Sequence, residues 1–202
     1  GSNNVAVGNG SLARNSTGSH NTAVGYQSGY SNTTGARNLT VGPFSGYSLT
    51  TGTQNTFVGA YATGAGGAGS NITTGSKNTI LGKYTGNQGG LDIRTSSNNI
   101  VLSDGDGNPR VITDSTGKTR AQSYAETYVS LSGTTPTVNC NNGNTFALTL
   151  SGNTTFTFSN PPASGTSFTF SVEIIQDASA SGYTVTWPTS VDWPSATAPT
   201  LT

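Results

Sequence analysis

Asn21-Thr22-Ala23-Val24-Gly25 is one copy of an element that opens Asn, continues through two variable residues and closes on an aliphatic and Gly. The other copies are Asn4-Val5-Ala6-Val7-Gly8, Asn38-Leu39-Thr40-Val41-Gly42, Asn55-Thr56-Phe57-Val58-Gly59 and Asn78-Thr79-Ile80-Leu81-Gly82, and a degenerate sixth starts at Asn99 and carries Leu102. Successive starts differ by 17 (21−4), 17 (38−21), 17 (55−38) and 23 (78−55), the long step holding an insertion rich in Gly and Ala around residues 64–70. So short and regular a period gives each copy one coil of a solenoid.

The pattern assigns a job to each position. The fourth is always a large aliphatic (Val7, Val24, Val41, Val58, Leu81), so it is expected to face a core. The opening residues Asn4, Asn21, Asn38, Asn55 and Asn78 are expected to stack, with side-chain amides bonding along the axis at about 4.7–4.9 Å per rung. Gly8, Gly25, Gly42, Gly59 and Gly82 close the element. Gly18, Gly35, Gly52 and Gly75 each follow Thr three residues before the next Asn, where a turn with positive φ is expected. One aliphatic per coil is a thin core for 17 ordered residues, so the remaining apolar side chains, Phe57, Ile80 and Val101 among them, are expected to pack against sister chains in a homo-oligomer.

Three runs carry a resemblance: Asn21-Thr22-Ala23-Val24-Gly25-Tyr26, Asn32-Thr33-Thr34-Gly35 and Asn99-Ile100-Val101-Leu102-Ser103-Asp104-Gly105-Asp106-Gly107-Asn108. They resemble stretches of tailed-bacteriophage fibre and other virion-appendage proteins. The Asn-x-x-Val-Gly element is also similar to the head repeats of trimeric autotransporter adhesins, whose usually shorter coils form a three-chain β-roll. The resemblance implies a homotrimer, other virion proteins as partners, and a location on the virion. A bacterial cell-surface adhesin and a capsid-decorating fibre are the alternatives.

The 202 residues suffice for more than one domain, and the pattern changes after Asn99. Residues 1–102 are assigned to a parallel β-roll or β-helix, 103–126 to a β-hairpin connector and 127–202 to a small antiparallel β-sandwich. The connector follows from Ile100-Val101-Leu102 and Arg110-Val111-Ile112 flanking a turn. The sandwich follows from strands of alternating polarity such as Phe146-Ala147-Leu148-Thr149-Leu150 and Phe168-Thr169-Phe170-Ser171-Val172, separated by Asn-Gly, Pro-Pro and Ser-Gly. The run Asn153 to Pro162, with Thr184-Val185-Thr186-Trp187-Pro188 and Trp193-Pro194, resembles a module of phage tail proteins, in which more strands usually follow a region such as Ala198-Pro199-Thr200-Leu201. The sandwich is therefore expected to be incomplete at its C-terminus. Gly1-Ser2-Asn3-Asn4 aligns with Gly18-Ser19-His20-Asn21 and the chain has no Met, so residues are expected upstream as well.

Catalysis has little to stand on. A glycan-cleaving β-helix needs paired carboxylates, and residues 1–91 contain no Asp or Glu. The acids, Asp92, Asp104, Asp106, Asp114, Glu126, Glu173, Asp177 and Asp192, are scattered, and no nucleophile elbow, phosphate loop or Cys/His metal spacing occurs. Asp104, Asp106 and Asn108 have the spacing of a calcium loop, but Pro109 replaces its Gly and Ser115 its closing Glu, so turn chemistry is expected there. Cys140, the single cysteine, is expected to be a small buried residue, and His20, the single histidine, lies far away in the repeats. No enzyme activity, cofactor, nucleic acid or membrane insertion is expected.

Two surfaces remain as candidates. Residues before the repeat Asn run His20, Arg37, Gln54, Lys77, a polar column expected to solvate one edge of the rod, with attraction to a phosphate-rich bacterial polymer as the alternative. Tyr30 and Tyr47 in the loop halves of coils, with Tyr26, and Trp193 in a Pro-bounded loop are candidate receptor contacts for stacking on a bacterial surface glycan, whereas Trp187 is assigned to the core. The expected function is that of a phage fibre: a rigid trimeric β-rod presenting a host-attachment surface.

Overall fold

A computed structural model describes residues 1–59, 66–121, 123, 125–179 and 182–193. Residues 60–65, which include the first two residues of the expected insertion, and 194–202, with Ala198 to Leu201, lie outside the described residues. The protein is all-β, with no helix among the described residues. It divides into two units, Gly1–Ser123 and Tyr124–Thr202.

In the first unit the repeat element forms one short strand per coil: Val5–Val7, Thr22–Val24, Leu39–Val41, Thr56–Val58, Thr79–Leu81 and Ile100–Ser103. They pair in parallel and in register, Val7 beside Val24, then Val41, Val58, Leu81 and Leu102. The sheet is extended antiparallel by Pro109–Thr113 and Thr119–Ala121, so the expected hairpin is present and belongs to the solenoid unit.

The Asn ladder is real, and it is buried. The Oδ1 of each Asn accepts the backbone N–H of the Asn one coil on, at 2.9 Å from Asn21 to Asn4, 2.9 Å from Asn38 to Asn21, 2.9 Å from Asn55 to Asn38 and 3.0 Å from Asn78 to Asn55. The Nδ2 donates to a glycine carbonyl of its own coil, as Asn21 to Gly35 at 2.8 Å and Asn38 to Gly52 at 2.9 Å. These bonds settle amide and peptide groups that could not otherwise leave water cheaply.

Three expectations need correction. The fourth-position aliphatics do not face this chain's interior: strand side chains alternate, and the third position is the one turned inward. Ala23, Phe57, Ile80 and Val101 are fully buried and Thr40 nearly so, while Val7 is 56% and Leu81 44% exposed. Phe57, Ile80 and Val101 thus pack with Leu49, Ile72 and Tyr84 inside their own chain, not against sister chains. Second, Gly18, Gly35, Gly52 and Gly75 do not have positive φ. They are required by coil-to-coil approach: a Cβ on Gly35 would collide with the Gly52 carbonyl oxygen and Asn32 Oδ1.

Third, the second unit is not an antiparallel sandwich. Tyr128–Ser130, Thr145–Thr149 and Ser171–Ile175 pair in parallel, as do Thr137–Asn139 with Thr157–Ser159 and Thr154–Thr155 with Val185–Thr186. Each strand pairs with a later pass of the chain, because the turns between neighbours redirect it into another sheet instead of folding it back. Val138, Phe146, Leu148, Leu150 and Phe156 fill the centre. Cys140 is half-buried just after Thr137–Asn139, a less enclosed place than expected.

Candidate functional site

Three columns run along the solenoid unit, each built by the stacking of equivalent positions. The first is the outer face of the repeat sheet. Turning the third position inward forces the second and fourth outward, which exposes Val5, Val7, Val24, Leu39, Leu81, Ile100 and Leu102 by between 36% and 56%. Val41 and Val58 stand half-buried in the same row. An aliphatic side chain in every rung, aligned by the strand register, makes one continuous apolar stripe. Isolated exposed aliphatics are ordinary on a soluble protein; a contiguous row is the mark of an interaction face.

The second column is aromatic. Tyr30 and Tyr47 are stacked at 5.2 Å with rings 9° apart, Phe44 lies 5.7 Å from Tyr47, and Tyr26 meets Phe44 edge-on at 5.2 Å. Arg14 sits 5.0 Å over the Tyr30 ring. Tyr30 and Tyr47 are therefore brought together as candidates, yet Tyr30 is already covered by Arg14 from the preceding coil and Tyr47 from the following one. Trp193 belongs to the other unit, edge-on to Trp187 at 5.4 Å. Trp187 stacks on the core ring Phe156 at 4.9 Å, and with Trp193 it lines an apolar cavity of about 740 Å³.

The third column precedes the Asn ladder: Asn3, His20, Arg37, Gln54, Lys77 and Asn98. All have φ between 58° and 63°, the left-handed region, and all are exposed. Their backbones stack without a break, His20 N–H donating to Ser2 O, Arg37 to Ser19 O, Gln54 to Ala36 O, Lys77 to Thr53 O and Asn98 to Ser76 O at 2.8–3.0 Å. Left-handed backbone costs a residue with a Cβ about 1–2 kcal/mol, Asn less than the others. Other positive-φ columns here lean more on glycine, as at Gly8, Gly25, Gly42 and Gly82, or Gly29, Gly46 and Gly69, although Leu12, Gln27 and Phe44 are also left-handed, with φ of 49°, 51° and 55°.

Asp92, Tyr84 and Asp104 in this unit are committed to local structure. The Arg94 guanidinium bonds Asp92 at 2.8 Å and holds its carboxyl below the usual carboxylate range. Asp104 Oδ1 accepts the Asn108 and Asp106 backbone N–H groups and Oδ2 pairs with Arg110 at 2.6 Å. These contacts, the Asn108 N–H foremost, push its pKa far down, so the calcium-like spacing is spent on its own turn. Burial, then the nearby Asp92 charge, pushes the Tyr84 phenol well above its ordinary value, and its hydroxyl donates to Leu91 O at 2.8 Å.

Compared with protein-family models, curated proteins and solved structures, the chain matches none. Function has to be read from the columns themselves. Two features escape sequence reading. The inward third position varies as Ala, Thr, Phe, Ile and Val, which hides its burial, although the absence of any charged residue there is a usable signal. The left-handed backbone of the His20 column carries only a partial mark, because Asn3, His20 and Asn98 are residue types enriched in that region and Arg37, Gln54 and Lys77 are not.

Proposed function

We propose that this chain is a structural fibre segment of a bacteriophage virion appendage, a non-catalytic rod that associates as a homotrimer and holds a host-attachment surface away from the particle. The observation that carries the reading is the aliphatic stripe on the outer face of the repeat sheet. A β-solenoid with Asn and backbone ladders is axially stiff, and its stripe gives identical rods something to bury against one another. A second copy suits this stripe because side-by-side rods share the same axial repeat, so every rung meets a rung. The acid-free run of residues 1–91 supports a mechanical rather than hydrolytic role.

Sedimentation equilibrium tests association directly. The wild-type chain is expected to be a trimer, and the triple variant Val24→Ser, Val41→Ser, Val58→Ser a monomer that keeps its β circular dichroism. A monodisperse single-chain wild-type species in dilute buffer would overturn the trimer. The virion assignment stands or falls on antibody labelling: antibody to the chain is expected to decorate an appendage of phage particles produced by cells carrying the gene, and bare particles would refute it.

A further inference from the structure

The column Asn3, His20, Arg37, Gln54, Lys77 and Asn98 has a property that a solvating edge does not need. A solubilising edge could be made with glycine at these turns and polar residues beside them, without left-handed strain. This chain has 28 glycines and places them at several other left-handed turns, but none in this column, and the other left-handed non-glycine residues of the solenoid, Leu12, Gln27 and Phe44, share no one side-chain chemistry. Every member also ends in a nitrogen that can donate a hydrogen bond: amide, imidazole, guanidinium or ammonium. None is acidic, none is a hydroxyl and none is apolar. Backbone strain held repeatedly with one side-chain chemistry points to what those side chains contact.

We infer that this column is a binding track for a linear anionic polysaccharide lying along the solenoid axis. Parallel rungs space the donors about 4.8 Å apart, so six of them span about 24 Å. That makes a row able to meet a polymer bearing oxyanions at regular intervals. Arg37 and Lys77 supply fixed charge, and the neutral amides of Gln54, Asn3 and Asn98 supply directional bonds to oxygen. The field is favourable: residues 1–91 hold four basic side chains, Arg14, Arg37, Lys77 and Lys83, and no acid. The ion pairs found among the described residues, Arg94 with Asp92 and Arg110 with Asp104, involve neither Arg37 nor Lys77. At the column's start Asn3 Nδ2 donates to His20 Nε2 at 3.1 Å, which leaves His20 Nδ1 and the second Asn3 amide hydrogen to face a ligand. Individual contacts of this kind are weak, and a polymer engages many at once, more so where several copies of the chain are present.

This track deepens the attachment reading by naming the polymer class, and it rests on that reading only for its biological purpose. The test uses the soluble chain with polygalacturonate and phosphorylated dextran as carboxylate and phosphate probes, neutral dextran as control, and single-stranded DNA of comparable length. Wild type is expected to bind at least one anionic glycan, with affinity falling as salt rises, and to ignore neutral dextran; the two probes tell carboxylate from phosphate. The variant with His20→Gly, Arg37→Gly, Gln54→Gly and Lys77→Gly is expected to bind at least about tenfold more weakly while its thermal midpoint stays level or rises, since glycine relieves the strained backbone. A second variant, Arg37→Gln with Lys77→Gln, keeps the side-chain bulk and is expected to flatten the salt dependence. Absence of binding to both anionic glycans overturns the track, as does an unchanged affinity in both variants or DNA binding as tight as glycan binding. Sedimentation of the same variants separates the two readings, because the track can fail while the trimer stands, and the reverse.

Discussion

Asn38 shows how much of this fold rests on single side chains. It is 5% exposed and occupies both sides of a coil junction: Nδ2 donates to Gly52 O at 2.9 Å, and Oδ1 accepts the Asn55 backbone N–H at 2.9 Å. Removing the amide strands both partners away from water, and each unpaired buried group costs about 1–3 kcal/mol. Asn38→Ala is therefore expected to destabilise by roughly 2–4 kcal/mol. Urea unfolding checks it through a lower midpoint at unchanged slope. A loss below about 0.5 kcal/mol, the scale of an ordinary surface substitution, would mean that the ladder is ornamental. Leu49 makes the complementary point. The parallel side ladder in which Asn32 donates to Asn15 Oδ1 at 2.7 Å ends where Leu49 takes the equivalent position, and the Asn32 Oδ1 is left without a partner. The chain exchanges a polar ladder for an apolar core at that rung, where Leu49 joins Phe57 and Ile72.

Elements differ in how openly the sequence states them. The strands of the solenoid were legible because Asn and Gly recur at a fixed step and physically must: the first bonds to its own copy, the last lies where coil backbones close on each other. The inward face was not legible, since hydrophobic constancy, the usual sign of burial, belongs here to the exposed outer row. In the second unit the alternation of Phe146-Ala147-Leu148 identifies strands but not their partners. Its parallel pairs are offset by 17 (145−128), 20 (157−137), 26 (171−145) and 31 (185−154) residues, so no fixed period marks the parallel coiling in the sequence. The hairpin of Ile100–Ser103 and Pro109–Thr113 was legible through Asp104 and Gly107, and it yields a pH prediction. The folded-state pKa of Asp104 lies far below its ordinary value, so its contribution is complete above about pH 4 and declines as the pH falls toward the folded value. Opening of the hairpin, read from amide hydrogen exchange at Asp106 and Asn108, is expected to grow by up to about tenfold per pH unit below about 4. Asp104→Asn should flatten that dependence. Equal opening in wild type and variant across the range would show that the carboxylate does not hold the turn.

At the scale of the whole solenoid, stability is unevenly filled in. The apolar cluster of Leu49, Phe57, Ala68, Ile72, Ile80, Tyr84, Ile93 and Val101 occupies the later coils. The earlier coils are lined instead by small and polar groups: Ala23 and Thr40 in the strands, Asn21 and Asn32 in the ladders, and Ser28, whose Oγ bonds Thr40 Oγ1 at 2.8 Å. Hydrogen bonds exchanged for bonds to water return less than buried apolar area does. In a stack where each coil touches only its neighbours, the less apolar coils open first without dragging the rest along. Hydrogen exchange on the intact chain is expected to show peptides within residues 5–47 exchanging at least about tenfold faster than peptides within 69–103, with Phe57→Ala narrowing the gap by speeding the later coils. Uniform exchange across both regions would mean that the ladders alone set the stability of every rung, and that the apolar interior adds little to it.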